Sequence, residues 1–399
     1  MNNLASKKKS LLKYYQENEI NPVVIRVENK DVWKDHEKKR QNLYTNHLKI
    51  PLTFFQHRSI LEFGCNSGEN ALYLASLGAS LTLIEPNSQV LPRLKDLFRK
   101  FGLEKSIENL ENKEIEKFVS KKSYDMVVAE GFLHTLQNRD EMLIKICSLL
   151  SPGGIGVVSF DDRYGSLSEM LRALLLQRVC QLRKIENLNS ESCIETAQEL
   201  FLEDFKRLNA SRDFVSWCLD NLVNLHTSWE SFWTYQQIIP LIEKAGCQFY
   251  SSSPGWSDID NYLWYKNVFS IKDRHLCIIE DWKKNFVFFL TGFPLTDRHV
   301  PPATQSIVNS VSGLIGSMSE FCASSNYDIN SLQYPKELEE YLSDIEYPDI
   351  RDFNKCLKSL FAIIKSNDER YIIDNYHSLE GIRNVWGSAL HYICFARGI

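Results

Sequence analysis

Two carboxylates bracket a glycine turn early in the chain. In "SILEFGCNSGENALYLASLGASLTLIEPN" (Ser59 to Asn87), Glu62 stands two residues before Gly64, Gly68 closes the turn, and Glu85 ends the next apolar run. A strand that feeds a tight turn and then a helix aims backbone N–H groups at whatever lies above the sheet edge. A dinucleotide wants glycine at the three places of G-x-G-x-x-G; counted from Gly64 these hold Gly64, Asn66 and Glu69. Glu62 and Glu69 would also repel a pyrophosphate. No G-K-[ST] follows the turn, which excludes a P-loop. The order of acid, glycine turn and acid suits instead a ligand with a cationic amino-acid end and a ribose diol, because one carboxylate can accept from both hydroxyls.

On these residues the sequence resembles the class I S-adenosylmethionine-dependent methyltransferases. Their first motif runs acid-x-Gly-x-Gly-x-Gly. Here it reads Glu62-Phe63-Gly64-Cys65-Asn66-Ser67-Gly68, with Asn66, a residue that tolerates a left-handed backbone, in place of the middle glycine. The resemblance implies S-adenosyl-L-methionine as the cofactor. It assigns Glu62, Gly64, Asn66 and Gly68 to the cradle and Glu85 to the ribose hydroxyls, with Asn87 close behind. Leu110 with Glu111 or Asn112, in "NLEN", would meet the adenine. "YDMVVAEGFLHTL" is similar to the family's fourth motif and places Glu130 and Gly131 near the methionine end, while "LLSPGGIGVVSF" is similar to the start of its fifth strand. Residues 1–57 and 272–399 lie outside the resemblance.

Methyl transfer from a sulfonium is an in-line displacement that needs alignment, a base where the acceptor must lose a proton, and no metal. The carboxyl ends of the strands carry Glu130, Gly131 and His134, then Asp161, Asp162, Arg163 and Tyr164. An unperturbed imidazole titrates near neutrality, which makes His134 the base expected here, with Glu130 and Asp161 as the other catalytic candidates; a lone histidine on a short apolar segment also has a structural reading. Glu130 meets the cofactor's ammonium or caps a helix. Asp161 and Asp162 orient an acceptor hydroxyl or amine, or cap the helix starting near Ser166, Asp162 being the better cap. Arg163 and Tyr164 hold an anionic or sugar-like acceptor or pack beneath helices. The aromatics Trp217, His226, Trp229, Trp233 and Tyr235 form a core stripe or, with Trp256 and Tyr262, the wall of an acceptor pocket.

The elements that must position these groups follow from apolar runs alternating with helical stretches. They predict an α/β fold: a doubly wound seven-stranded sheet, parallel with an antiparallel edge. Five strands are expected up to Phe160. A helical insertion follows at about 168–230, then an antiparallel pair at Cys247–Ser253 and Tyr262–Ile271. Three regions result: an N-terminal helical segment over 1–57, packed by its aromatics (Trp33, Tyr44) or closing as a lid; a methyltransferase domain over 58–271; and a mostly helical domain over 272–399.

Composition bounds the function. The chain has 399 residues, is 44% hydrophobic and carries a net charge of −5, so it can bury a sizeable core and offers no basic stripe for a nucleic acid. Its ten cysteines show no zinc-site spacing and read as free thiols, and "FVFFLTGFPL" is about half a membrane span. The expectation is a cytoplasmic enzyme that methylates oxygen or nitrogen of a small-molecule acceptor such as a sugar or secondary metabolite. The alternative is a protein-directed methyltransferase or a non-catalytic cofactor-binding subunit. In either case the C-terminal helices are available for a homodimer or a protein partner.

Overall fold

Strands β1 (Ser59–Phe63), β2 (Ser80–Ile84), β3 (Ile107–Glu111), β4 (Tyr124–Ala129), β5 (Leu150–Asp161), β6 (Cys247–Ser253) and β7 (Leu390–Arg397) form one sheet in the order β3-β2-β1-β4-β5-β7-β6. The computed structural model describes residues 12–18, 26–208, 212–224, 228–257, 264, 266–268, 270–294, 300–323 and 327–398. β1 runs parallel to β2, with Ser59 opposite Ser80, and to β4, with Ile60 opposite Met126. From β1 the chain builds outward on one side through β2 and β3, then crosses to the other side for β4 and β5. The carboxyl ends of β1 and β4 therefore flank the switch point where open sheets hold their ligands. Ile60 through Phe63 are all buried, so both faces of β1 are covered; the one polar side chain among them is Glu62.

Helices α1 (Lys30–Gln41), α2 (Glu69–Ser76), α3 (Leu91–Lys100) and α4 (Arg139–Ser148) belong to the same unit, which comprises residues 1–161, 233–279 and 391–399. α1 continues through a wide turn, Asn42–His47, and packs rather than hangs free. Tyr44 and Leu48 are wholly buried, and the Trp33 ring lies 5.0 Å from that of Phe101.

The antiparallel pair differs from the sequence expectation. Cys247–Ser253 is β6, but Tyr262–Ile271 is not its partner. That segment lies partly outside the described residues; Trp264, Lys266–Val268 and Ser270 are not in a strand, and Ile271 opens a helix that runs to Lys284. β6 pairs with β7 from the far end of the chain, Cys247 opposite Arg397 and Ser253 opposite Tyr392. Strand propensity expresses fit to a half-buried surface, so the segment with the fitting neighbours takes the place. Gly156 of β5 is part of that fit: a Cβ there would overlap the ring of Phe395 on β7.

The second unit comprises residues 162–232 and 280–390. Its centre is α5 (Leu167–Leu182), whose sequence LSEMLRALLLQRVCQL is apolar nearly all round and buried on most sides. Such a helix needs neighbours on every flank. α6 (Glu191–Phe205) and the helices Phe286–Thr291, Gln305–Ala323 and Glu369–Tyr376 supply them, so the insertion and the later helices share one core. Arg172 is buried inside it, 3.8 Å from the Trp386 ring centroid, and donates to the carbonyls of Ile382 and Val385 at 3.2 and 3.1 Å. Among the described residues no helix is long and apolar enough to cross a membrane, and all ten cysteines are free thiols.

Candidate active site

After β1 the chain turns through Gly64 (φ +69°), Asn66 (φ +47°) and Gly68 (φ +90°), and α2 starts at Glu69. At Gly64 a Cβ would lie 2.8 and 2.9 Å from two ring carbons of Phe132, so the turn has no room for a side chain there. Asn66 adopts the left-handed backbone expected of it, and its Oδ1 accepts the Ser67 N–H at 2.7 Å. The Asn66 N–H donates to Glu85 Oε2 at 2.8 Å, and the Asn87 N–H donates to Glu85 Oε1 at 2.7 Å. Glu85, just past β2, is thus anchored at both oxygens, each of which keeps an acceptor direction for a ligand hydroxyl. Burial pushes its pKa up, and those two N–H groups act against the rise.

The neighbouring acids are held differently. Glu69 is buried but accepts from the Ser67 hydroxyl at 2.6 Å and from Arg93 at 2.7 Å. Glu62 is 2% exposed, and its Oε2 has no hydrogen-bond partner among the described residues. Burial first, and then the charge of Glu130, push the Glu62 pKa up to about 8.

Glu130, after β4, is gripped by Arg40: Nη1 donates to Oε2 at 2.9 Å and Nη2 to Oε1 at 2.6 Å. Asn70 and the Tyr392 hydroxyl add donors at 3.0 and 3.2 Å. It caps no helix; the turn that follows, Leu133–Thr135, has no side-chain cap. The sequence reading did not single out Arg40. The signal available was a stripe at spacing four, His36, Arg40, Tyr44 and Leu48, all buried, which charged neighbours in "HEKKRQNLYTNHL" obscure. His36 Nε2 lies 3.3 Å from the Glu69 carbonyl, and burial followed by the Arg40 charge pushes its pKa down to about 4.

The structure brings two of the catalytic candidates together. His134, in the turn after β4, places Nε2 3.3 Å from Asp161 Oδ2 at the end of β5. The Gly131 N–H donates to Ser159 Oγ at 2.7 Å, fixing the loop between them. At the end of β3 the Glu111 carboxylate is taken by Lys113 and Asn109 at 2.6 and 2.7 Å. The adjacent Asn112 amide ties this end to the Glu85 and Pro86 carbonyls at 2.8 and 3.0 Å, and Leu110 packs partly buried against the core.

The acceptor candidates are mostly packing residues. Trp233 is wholly buried, donates Nε1–H to Asp140 at 2.8 Å and stands edge-on to Phe160, so it lines no pocket. Trp256 packs edge-on against Tyr235, 4.7 Å between centroids. In the helical unit Tyr164 is buried against Trp282 and Phe286, which corrects its acceptor-binding expectation: its ring is spent on the core. Asp162 does not cap α5, which starts at Leu167 with Ser166 as an N-cap lacking a side-chain bond; its Oδ1 instead accepts the N–H groups of Tyr164 and Gly165 in the preceding turn, at 3.0 and 2.8 Å. Arg163 donates to the Glu230 carbonyl at 2.6 Å, and Trp229 is half-buried in the turn Trp229–Ser231. His226 and Tyr262 lie outside the described residues. Among the described residues no group of three or more His, Cys, Asp or Glu is placed to hold a metal ion.

A Rossmann-like sheet with an acid-flanked glycine turn at its switch point defines a protein of the α/β class. A family profile described as a methyltransferase domain matches residues 36–248, just over half of the chain. The chain belongs to that family, the class I methyltransferases that use S-adenosylmethionine. No curated protein matches it. Similar solved structures include an S-adenosylmethionine-dependent methyltransferase of Clostridium acetobutylicum, 13% identical over 33% of this chain and 50% of that one, TM-score 0.26. Another is the CcbJ methyltransferase of Streptomyces caelestis, 23% identical over 27% and 45%, TM-score 0.25. A third is the N-methyltransferase NodS of Bradyrhizobium japonicum in complex with S-adenosyl-L-homocysteine, 18% identical over 37% and 74%, TM-score 0.29. The chain spans about half the length of the first solved structures it matches.

Proposed function

We propose that this chain is an enzyme that transfers a methyl group from S-adenosylmethionine to an oxygen or nitrogen of a small-molecule acceptor. One arrangement carries the reading: the doubly anchored Glu85 beside the glycine turn, in the same unit as the His134–Asp161 pair at the ends of β4 and β5. When bound, S-adenosylmethionine supplies an electrophilic methyl group on a sulfonium sulfur. Glu85 would receive the two ribose hydroxyls and Glu62 the ammonium, while Gly64 lets the turn pass tightly against Phe132. Leu110 and Asn112 bound the adenine. Glu130 acts as the fixed partner of Arg40, and proton transfer falls to His134. Asp161, with Oδ2 3.3 Å from Nε2, orients the His134 ring and would stabilise the imidazolium that forms. The His134 side chain is only 9% exposed, which favours a hydroxyl or amine on a small molecule over one on a bulky surface.

Calorimetry with S-adenosylhomocysteine tests the site. Glu85→Ala and Gly64→Arg each weaken binding by about a hundredfold or more, since one strips a double acceptor and the other fills the turn. Tight binding that survives both changes removes the site, and no binding by the wild-type protein removes the function. Mass spectrometry of amine and hydroxyl metabolites incubated with donor and purified protein then reads the acceptor class.

A further inference from the structure

Glu62 occupies the fourth position of β1 with a buried oxygen that no donor reaches among the described residues. The charged groups facing it are Glu130 from the loop after β4, Arg40 from α1, and Glu85 from the end of β2. The Tyr44 phenol and the Cys65 thiol also lie within its field. Three carboxylates therefore share one cation. That cation is already committed, because Arg40 gives both terminal nitrogens to Glu130. Glu85 and Glu69 are also buried acids, yet each accepts two hydrogen bonds. An ionised Glu62 would be a desolvated charge with no partner, a situation proteins resolve by keeping the proton.

We propose that Glu62 is protonated in the ligand-free protein at neutral pH and releases that proton when the cradle takes a ligand bearing a primary ammonium, so that binding and proton release are one event. The inference rests on the cofactor assignment above. A neutral carboxylic acid and an R–NH3+ group come together; a carboxylate paired with R–NH3+ remains, and one H+ passes to solvent. The upward direction of the Glu62 pKa, to about 8, agrees with this order of events. Glu62 thereby becomes a specificity residue: nucleosides without the ammonium find a neutral acid and draw no proton from it, while the amino-acid end gains a charge partner that exists only once it has arrived.

The test is calorimetry of the full chain with S-adenosylhomocysteine at pH 7 in buffers of different ionisation enthalpy. Release of close to one proton per site is expected, with affinity rising about tenfold per pH unit from pH 6 and levelling near pH 8. 5′-Methylthioadenosine, which lacks the amino acid, releases none. Glu62→Gln abolishes the release and flattens the pH dependence, which separates Glu62 from nearby histidines. Infrared difference spectra of the ligand-free protein at pH 6 and pH 9 should show a protonated-carboxyl band that Glu62→Gln lacks. Binding without proton release, or equal release from the variant, overturns the proposal. Absence of S-adenosylhomocysteine binding overturns the cofactor assignment and the coupling with it, and the infrared band still reports the proton on Glu62. If Glu62→Gln fails to fold, the wild-type buffer dependence and the methylthioadenosine comparison decide.

Discussion

Asp204 in the helical unit and Glu62 in the sheet unit are both acids taken out of water, at 0% and 2% exposure. Asp204 Oδ1 accepts from Arg383 Nε at 2.9 Å and is reached by Arg383 Nη2 at 2.9 Å, while Oδ2 accepts the Tyr376 hydroxyl at 2.8 Å. No donor reaches Glu62 Oε2 among the described residues. Burial is equal, and hydrogen bonding is opposite. A buried carboxylate with its partners in place joins helices; one without them is poised for a partner that arrives from outside.

The largest effect should come from Asp204→Ala, which leaves Arg383 and Tyr376 without their acceptor and costs about 3–5 kcal/mol in urea unfolding. A cost below about 1 kcal/mol would erase the contrast with Glu62. Arg40→Met turns Glu130 into a second Glu62, a buried acid without its cation. Asn70 and Tyr392 remain, so the loss should be smaller, about 2–3 kcal/mol. Glu62→Gln carries the opposite sign at high pH. Its folded pKa of about 8 lies above the ordinary 4.5, so the stability this group contributes is present below pH 4.5 and is lost as pH rises through 8. Linkage favours the variant by about 3–4 kcal/mol more at pH 8 than at pH 5, while the unpartnered amide costs the same at both, so the variant should be about 1–2 kcal/mol more stable than the ligand-free wild type at pH 8 and about 2 kcal/mol less stable near pH 5. Melting curves at the two pH values read this difference. Asn66→Gly is the smallest change. Glycine adopts φ +47° freely and gives up only the bond from Asn66 Oδ1 to the Ser67 N–H, so affinity for S-adenosylhomocysteine should stay within about threefold. A large loss would show that the asparagine side chain meets the ligand.

Glu62, Gly64, Asn66, Gly68 and Glu85 were legible in the sequence because a strand, its turn, the next helix and the next strand are close along the chain. Turn chemistry and spacing alone place their backbones. The same locality made the first five strands readable. His134 and Asp161 were each legible as strand-end residues, but their 3.3 Å contact was not. Arg40 and Tyr392 join Glu130 from 90 and 262 residues away, and β7 fills the place beside β6 that the sequence pattern assigns to Tyr262–Ile271. Such choices depend on which side chains complement one another across the assembled sheet, as Phe395 does over Gly156. The sequence by itself determined the glycine turn with its flanking acids and the succession of the first five strands. Only the tertiary structure decided which acids acquired partners, and so which one was left holding a proton, because charge and desolvation act through space and not along the chain.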